Sequence, residues 1–184
     1  MARQQLITEI LRELAHTEGD FDDLVPAVYD EMRSLARSQL RRLRSGGAID
    51  TTELVHEAYL KLSGVDPAWE SRRHFFATAA KVMRHLLTDA ARRATAEKRG
   101  GDAVHLPLLE ADANTRREAD TFLAIDGALR SLAVDVPRLA EVVELRFFAG
   151  LSEEEAAEVL GTSTRTVRRD WVKARAWLHR ELAR

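Results

Sequence analysis

Apolar residues recur at helical spacing along most of the chain, and this repeat constrains the fold more than any other feature. They fall at Leu6, Ile7, Ile10, Leu11 and Leu14, and again at Leu24, Val25, Val28, Tyr29, Met32, Leu35 and Ala36. The pattern resumes at Leu54, Val55, Ala58, Tyr59 and Leu62, then at Phe76, Ala79, Ala80, Met83, Leu86, Leu87 and Ala90. An apolar side chain every three or four positions gives a helix one greasy face, which must be buried against another element. With only 4 Pro and 9 Gly in 184 residues, few breakers interrupt such helices. Ala, Leu, Arg and Glu dominate, and all four favour helix over strand. The expected fold class is all-α.

The repeat breaks at Ser45-Gly46-Gly47 and at a loop holding Gly64 and Pro67. A long helix is expected from about Arg72 to Glu97. From Gly100 to Glu118 the chain has paired Gly, one Pro and mixed charge with little periodicity, the features of an interdomain linker. Two small helical domains are therefore expected, residues 1–99 and 119–184, joined by a flexible linker at 100–118. In the second domain Phe122, Leu123, Ile125, Leu129 and Leu132 mark one helix. Pro137 suits the first turn of another that ends near Gly150.

Cysteine is absent, so disulfides and thiolate zinc sites are excluded, and the six His show no metal-ligand spacing. No cofactor or metal is expected. No run reaches the roughly twenty apolar residues that span a bilayer, and the N-terminus lacks the apolar core of a secretory signal. A cytoplasmic protein without membrane insertion is expected.

The formal net charge is -2, yet the charges are segregated. The chain opens acidic, turns basic at Arg33, Arg37, Arg41, Arg42 and Arg44, and is strongly basic along the long helix. There Arg72, Arg73, Lys81, Arg84, Arg92, Arg93, Lys98 and Arg99 outnumber Asp89 and Glu97. A nucleic-acid duplex could meet such a surface, while a solvated helix face is the plainer alternative.

Near the C-terminus Ser152-Glu153-Glu154-Glu155 forms a capping box that starts a helix carrying Ala156, Ala157, Val159 and Leu160. Gly161 stops it, and Ser163 caps a second helix that carries Val167, Trp171, Ala174 and Leu178 and would bury Val167 and Trp171. This is a helix-turn-helix pattern. Thr164, Arg165, Thr166, Arg168, Arg169 and Lys173 point elsewhere and suit a major groove, where Arg pairs bidentately with guanine and Thr or Lys holds phosphate. A helical hairpin with a charged outer face is the alternative.

The segment Val136-Pro137-Arg138 through Glu144-Leu145-Arg146-Phe147-Phe148-Ala149-Gly150-Leu151-Ser152, followed by Glu155-Ala156-Ala157 and Leu160-Gly161-Thr162-Ser163, resembles region four of extracytoplasmic-function sigma factors. Asp50-Thr51-Thr52-Glu53-Leu54-Val55-His56-Glu57-Ala58-Tyr59-Leu60-Lys61-Leu62 resembles the polymerase-binding helix of region two. Phe75 through Arg93 is similar to the promoter-melting and minus-ten segment. The resemblance implies a factor that docks on core RNA polymerase, reads two promoter elements and helps open the duplex. Asp50, Glu53, His56 and Glu57 would then face basic residues of the polymerase. Trp69, Arg72, Arg73, His74, Arg84, His85, Arg92 and Arg93 would serve the minus-ten element, where rings and guanidinium planes can replace base stacking. The C-terminal helix would read the minus-35 element.

Two departures from the family pattern matter. Relatives often carry more acid where this chain has Thr51 and Thr52, and phosphorylation of either threonine would add negative charge at a helix N-terminus and could restore attraction to a basic partner. The plainer alternative is that Asp50 caps the helix, Glu53 completes a capping box and the threonines only fill the turn. His85 replaces a common Asn, and Thr162 is polar where an apolar turn residue is usual. With no further regulatory segment in the sequence, control is expected from an anti-sigma factor or a Ser/Thr kinase. The rival function is a dimeric helix-turn-helix regulator that binds operator DNA without polymerase. Intrinsic catalysis is not expected, because no nucleophile and base and no Gly-rich phosphate loop come together.

Overall fold

Val28, Met32 and Ala36, spaced by one helical turn, line one face of α1 (Val25–Leu43) and are at most 2% exposed. In α2 (Thr51–Ser63) the same spacing buries Leu54, Val55, Ala58 and Leu62. Both pack on α3 (Arg72–Gly100), the longest element, whose stripe from Phe75 and Phe76 through Met83 to Ala91 is buried. The computed structural model describes residues 25–43, 49–63, 71–100 and 110–183. The helix expected at Leu6 to Leu14, the breaks at Ser45-Gly46-Gly47 and at Gly64 and Pro67, Trp69, and residues 101–109 lie outside the described residues.

Beyond that gap run α4 (Glu110–Asp135), α5 (Pro137–Val143), a π-helical segment (Glu144–Phe148), α6 (Glu153–Val159) and α7 (Thr164–Leu182). Among the described residues there is no strand, so the fold class is all-α. The start of α4 falls within the stretch read as linker. Glu110-Ala111-Asp112-Ala113 and Arg116-Arg117-Glu118-Ala119 contain good helix formers without an apolar stripe, so periodicity alone gives no sign of a helix there.

Pro137 occupies the first turn of α5, as its position suggested, with Val136 as the non-helical residue before it. The helix then widens into the π segment and ends at Gly150, whose φ of +71° reverses the chain. One continuous apolar cluster joins α1, α2 and α3 to α4, α5, Phe148 and Ala174. A smaller cluster of Val142, Leu145, Leu151, Ala156, Ala157 and Val167 lies under α6 and α7. The helices expected to form two units thus share a packed seam along α3.

Candidate nucleic-acid and polymerase interface

The geometry of α6 and α7 follows from local chemistry. Ser152 Oγ accepts from the Glu155 amide at 3.1 Å, and Glu155 Oε2 accepts from the Ser152 amide at 2.9 Å, which completes the capping box. At the far end Thr162 N–H reaches Ala157 O at 2.9 Å and Gly161 N–H reaches Glu158 O at 3.2 Å, with Gly161 at φ +58°. These are the paired bonds of a Schellman stop, which needs the left-handed conformation glycine adopts freely. Ser163 Oγ then accepts from the Thr166 amide at 3.2 Å and starts α7.

Val167 and Ala174 are fully buried beneath α7, and Trp171 is half-buried, its ring flanked by the guanidinium groups of Arg146 and Arg175, each 5.9 Å from the centroid. Asp170 also faces inward, 4% exposed, and accepts from Arg138 Nε at 2.8 Å. Arg138 Nη2 donates as well to Thr162 Oγ1 at 3.0 Å. The polar turn residue is therefore satisfied by the same arginine that anchors α7 to α5. On the outer face Arg165, Arg168, Arg169 and Lys173 are exposed, with Thr164 and Thr166 partly covered. Arg168 makes an ion pair with Glu153 at 2.7 Å, and Arg169 Nε lies 3.3 Å from Asp170 Oδ1.

On α2, Glu53, His56 and Glu57 are exposed beside the buried stripe. Asp50, exposed as well, caps the helix: its Oδ1 accepts from the amides of Thr52 at 2.7 Å and Glu53 at 2.9 Å. Thr52 is exposed and Thr51 partly so. Leu60, half exposed, extends the outer face of α2. Between α1 and α2 a small apolar pocket of about 290 Å³ is lined by Val28, Tyr29, Met32, Thr52, Val55, His56 and Tyr59.

The cations of α3 are placed differently from what charge counting suggests. Arg72 pairs with Glu31 of α1 and sits 4.9 Å over the Phe76 ring. Arg73 pairs with Glu158 and lies 3.7 Å from Glu155, both on α6. His74 is partly buried, its amide donating to Ser71 Oγ at 3.2 Å. Phe75 and Phe76 meet edge to face with centroids 5.1 Å apart, and Phe75 is wholly buried. Arg92 and Arg93 are exposed, with Arg92 3.5 Å from Asp89.

Arg84 departs furthest from the surface position expected of it. It is only 4% exposed, pairs with Asp126 of α4, and lies 2.8 Å from Glu144 of the π segment. Its Nη2 approaches Nε2 of the exposed His85 at 2.9 Å, and the guanidinium lies 5.5 Å from the Phe148 ring centroid. Partial desolvation of the ring against its neighbours is the main reason that His85 titrates below the ordinary imidazole range, with the charges of Arg84 and Lys81 adding to it. Burial likewise pushes the Glu144 carboxyl up, against the pull of Arg84. Thr88 Oγ1 donates to Asp126 Oδ1 at 3.2 Å, completing a polar knot inside the seam.

Sequence reasoning missed Asp126, Glu144 and Gln39, whose Nε2 donates to Ala80 O at 2.9 Å and Phe148 O at 3.3 Å. A signal for two of them exists. Asp126 stands four residues after Phe122 and three before Leu129, on the buried stripe of α4, and Gln39 follows Ala36 by three on that of α1. A polar residue on an apolar stripe implies a buried partner.

An exposed row of cations on a helix set by a short turn, with an acid-bearing helix apart from it, is the kind of surface that nucleic-acid binders present. Compared with known protein families, residues 4–184 match the family described as ECF sigma factor, and the chain belongs to it. It is thus an alternative sigma factor that directs transcription. Comparison with curated proteins and with solved structures finds no match. ECF sigma factors bind core RNA polymerase and promoter DNA, and as a family they are not enzymes. Among the described residues no helix is long and apolar enough to cross a membrane.

Proposed function

We propose that this sigma factor docks on core polymerase through the exposed face of α2, with Asp50, Glu53, His56 and Glu57 meeting a basic surface. The exposed row Arg165, Arg168, Arg169 and Lys173 on a helix anchored by Asp170 carries the other half of the reading, contact with the minus-35 element. The helix α3, with Arg72, Arg73 and His74 in its first turn and Arg92 and Arg93 in its C-terminal half, serves the minus-ten element together with Trp69. In this division residues 1–99 form the polymerase and minus-ten unit, 100–118 the connection, and 119–184 the minus-35 reader, all acting in the cytoplasm. Run-off transcription with purified core polymerase on a genomic library identifies the promoter. Arg165→Ala or Arg168→Ala then weakens use of the upstream element by about 1–3 kcal/mol for each lost base contact. Unchanged promoter choice in both variants would sink the assignment of α7. Co-elution of one chain per core enzyme in gel filtration separates this function from an operator-binding dimer, for which no feature of the described residues speaks.

Regulation by phosphorylation of Thr51 or Thr52 belongs to the same proposal. Thr52 is exposed and stands in the first turn of α2, where the helix dipole tolerates added negative charge. A Ser/Thr kinase would be the activating partner, and an anti-sigma factor the alternative source of control. Thr52→Glu raises transcription several-fold in the run-off assay, and mass spectrometry of protein from its native cell finds phosphate on the α2 threonines. No phosphate and no gain would end the idea.

A further inference from the structure

The arginines on the outer face of α7 are not equivalent, because their neighbours occupy different donors. Opposite the buried Val167, Asp170 and Ala174, the line that faces furthest from the core passes through Arg165, Arg169, Val172 and Ala176, all exposed. Arg168 lies to one side of it. Its Nε and Nη2 both rest on Glu153 Oε2, at 2.8 and 2.7 Å, so the edge that donates two parallel bonds is already committed to α6. Arg169 is held differently. Its Nε lies 3.3 Å from Asp170 Oδ1, and no described residue takes Nη1 or Nη2. The acceptor is itself fixed: Asp170 is 4% exposed, and its Oδ2 accepts from Arg138 Nε at 2.8 Å. Arg138 in turn is tied to the turn before α7, where Nη2 donates to Thr162 Oγ1 at 3.0 Å. A polar relay thus runs from the turn, through Arg138 and Asp170, to Arg169 on the outer face.

We propose that Asp170 is a positioning residue for base recognition: it holds Arg169 by Nε, so that the free Nη pair meets the O6 and N7 edge of one guanine in the upstream element. The inference deepens the role of α7 given above and rests on it. Guanine presents two acceptors side by side in the major groove, and one guanidinium supplies the two matching donors. A guanidinium already fixed at Nε loses less rotamer freedom on binding than a free one, which raises the gain from those two bonds. Asp170 suits the task because it is buried: a carboxylate in the interior is screened little by water or salt, and its partners leave it one orientation. Arg168, with Glu153 on its fork, keeps Nη1 for a phosphate oxygen, a contact that carries no base preference. The buttressed arginine therefore reads sequence, while its neighbour sets position.

The test uses holoenzyme assembled from the full chain and core polymerase, with run-off from the selected promoter as readout. Each guanine of the upstream element is replaced in turn by 7-deazaguanine, which lacks the N7 acceptor but keeps the base pair. One guanine should stand out, with transcription by the unaltered chain falling about tenfold there. Arg169→Lys, which keeps the charge but not the fork, should be weaker on the natural promoter and lose nothing further from the analogue at that guanine. Asp170→Asn should lose most of the preference at the same guanine and keep its profile at the others, and it should change base preference no further in the R169K background. A purely structural role for Asp170 would depress every template alike, and that result would overturn the proposal. So would an R169K profile identical to that of the unaltered chain. Because Asp170 is buried, a thermal melt accompanies its variant. Should that variant not fold, the Nε–H resonance of Arg169 in the unaltered free chain decides: slow solvent exchange, as for Arg138, is expected, and fast exchange overturns the buttress. If Arg165→Ala, Arg168→Ala and Arg169→Lys all leave promoter choice unchanged, the assignment of α7 itself has failed. If only the Asp170 results fail, α7 keeps its role and the positioning by Asp170 alone is lost.

Discussion

Asp126→Ala lowers the unfolding free energy by about 3–5 kcal/mol, the cost expected when one member of a buried ion pair is removed. Asp126 is 2% exposed, and its Oδ1 accepts from Arg84 and from Thr88. Its Oδ2 lies 3.2 Å from Arg130 and 3.6 Å from Arg92, near enough for attraction but without hydrogen-bond geometry. Without the carboxylate, the guanidinium of Arg84 stays 4% exposed with Glu144 as its remaining acid. Glu144 is a poor substitute, because burial already raises its pKa. The double replacement Arg84→Met with Asp126→Leu should recover only part of the loss, since apolar groups of similar volume remove that pair but leave the Glu144 carboxyl without its arginine. Urea denaturation of the single and double variants measures both. A single-variant loss under about 1 kcal/mol would mean that water reaches the knot and screens it.

Glu53→Lys with Glu57→Lys weakens binding to core polymerase by about 3 kcal/mol, roughly a hundredfold in Kd. Both side chains are exposed, so the double reversal leaves the core of α2 intact. The helix itself loses only about 0.5 kcal/mol from a positive charge in its first turn. If these acids meet basic residues, two attractions become two repulsions, and the effect should shrink as salt is raised. Fluorescence titration with core enzyme at two salt concentrations, beside a thermal melt of the free chain, checks each part. Binding that survives the double reversal would place the polymerase contact elsewhere on the molecule.

The balance between what was legible in the sequence and what was not follows the range of the forces involved. The all-α class, the buried stripes of α2 and α3, Pro137 opening α5, the Ser152 and Glu155 cap and the stop at Gly161 could all be read in advance. Each depends on residues within one or two helical turns, where geometry is set by the backbone repeat. The same holds for the outward face of α7, because burying Val167 and Ala174 leaves Arg165, Arg168, Arg169 and Lys173 outside. The helical start of α4 escaped because helix propensity without an apolar stripe leaves no periodic mark.

The partners of α3 could not be read in the same way. Counting charge along that helix weighed only Asp89 and Glu97 against its arginines, while the acids that matter arrive from elsewhere. Asp126 lies 42 residues from Arg84 and Glu144 lies 60. Coulomb attraction ignores sequence distance, and burial decides how strongly it acts, so only the packed chain shows which cations are engaged. Local order, the helices and their caps, was therefore determined by sequence alone. Whether a basic side chain faces solvent or sits locked between two carboxylates was decided by the tertiary structure, because that depends on which surfaces the helices bring together.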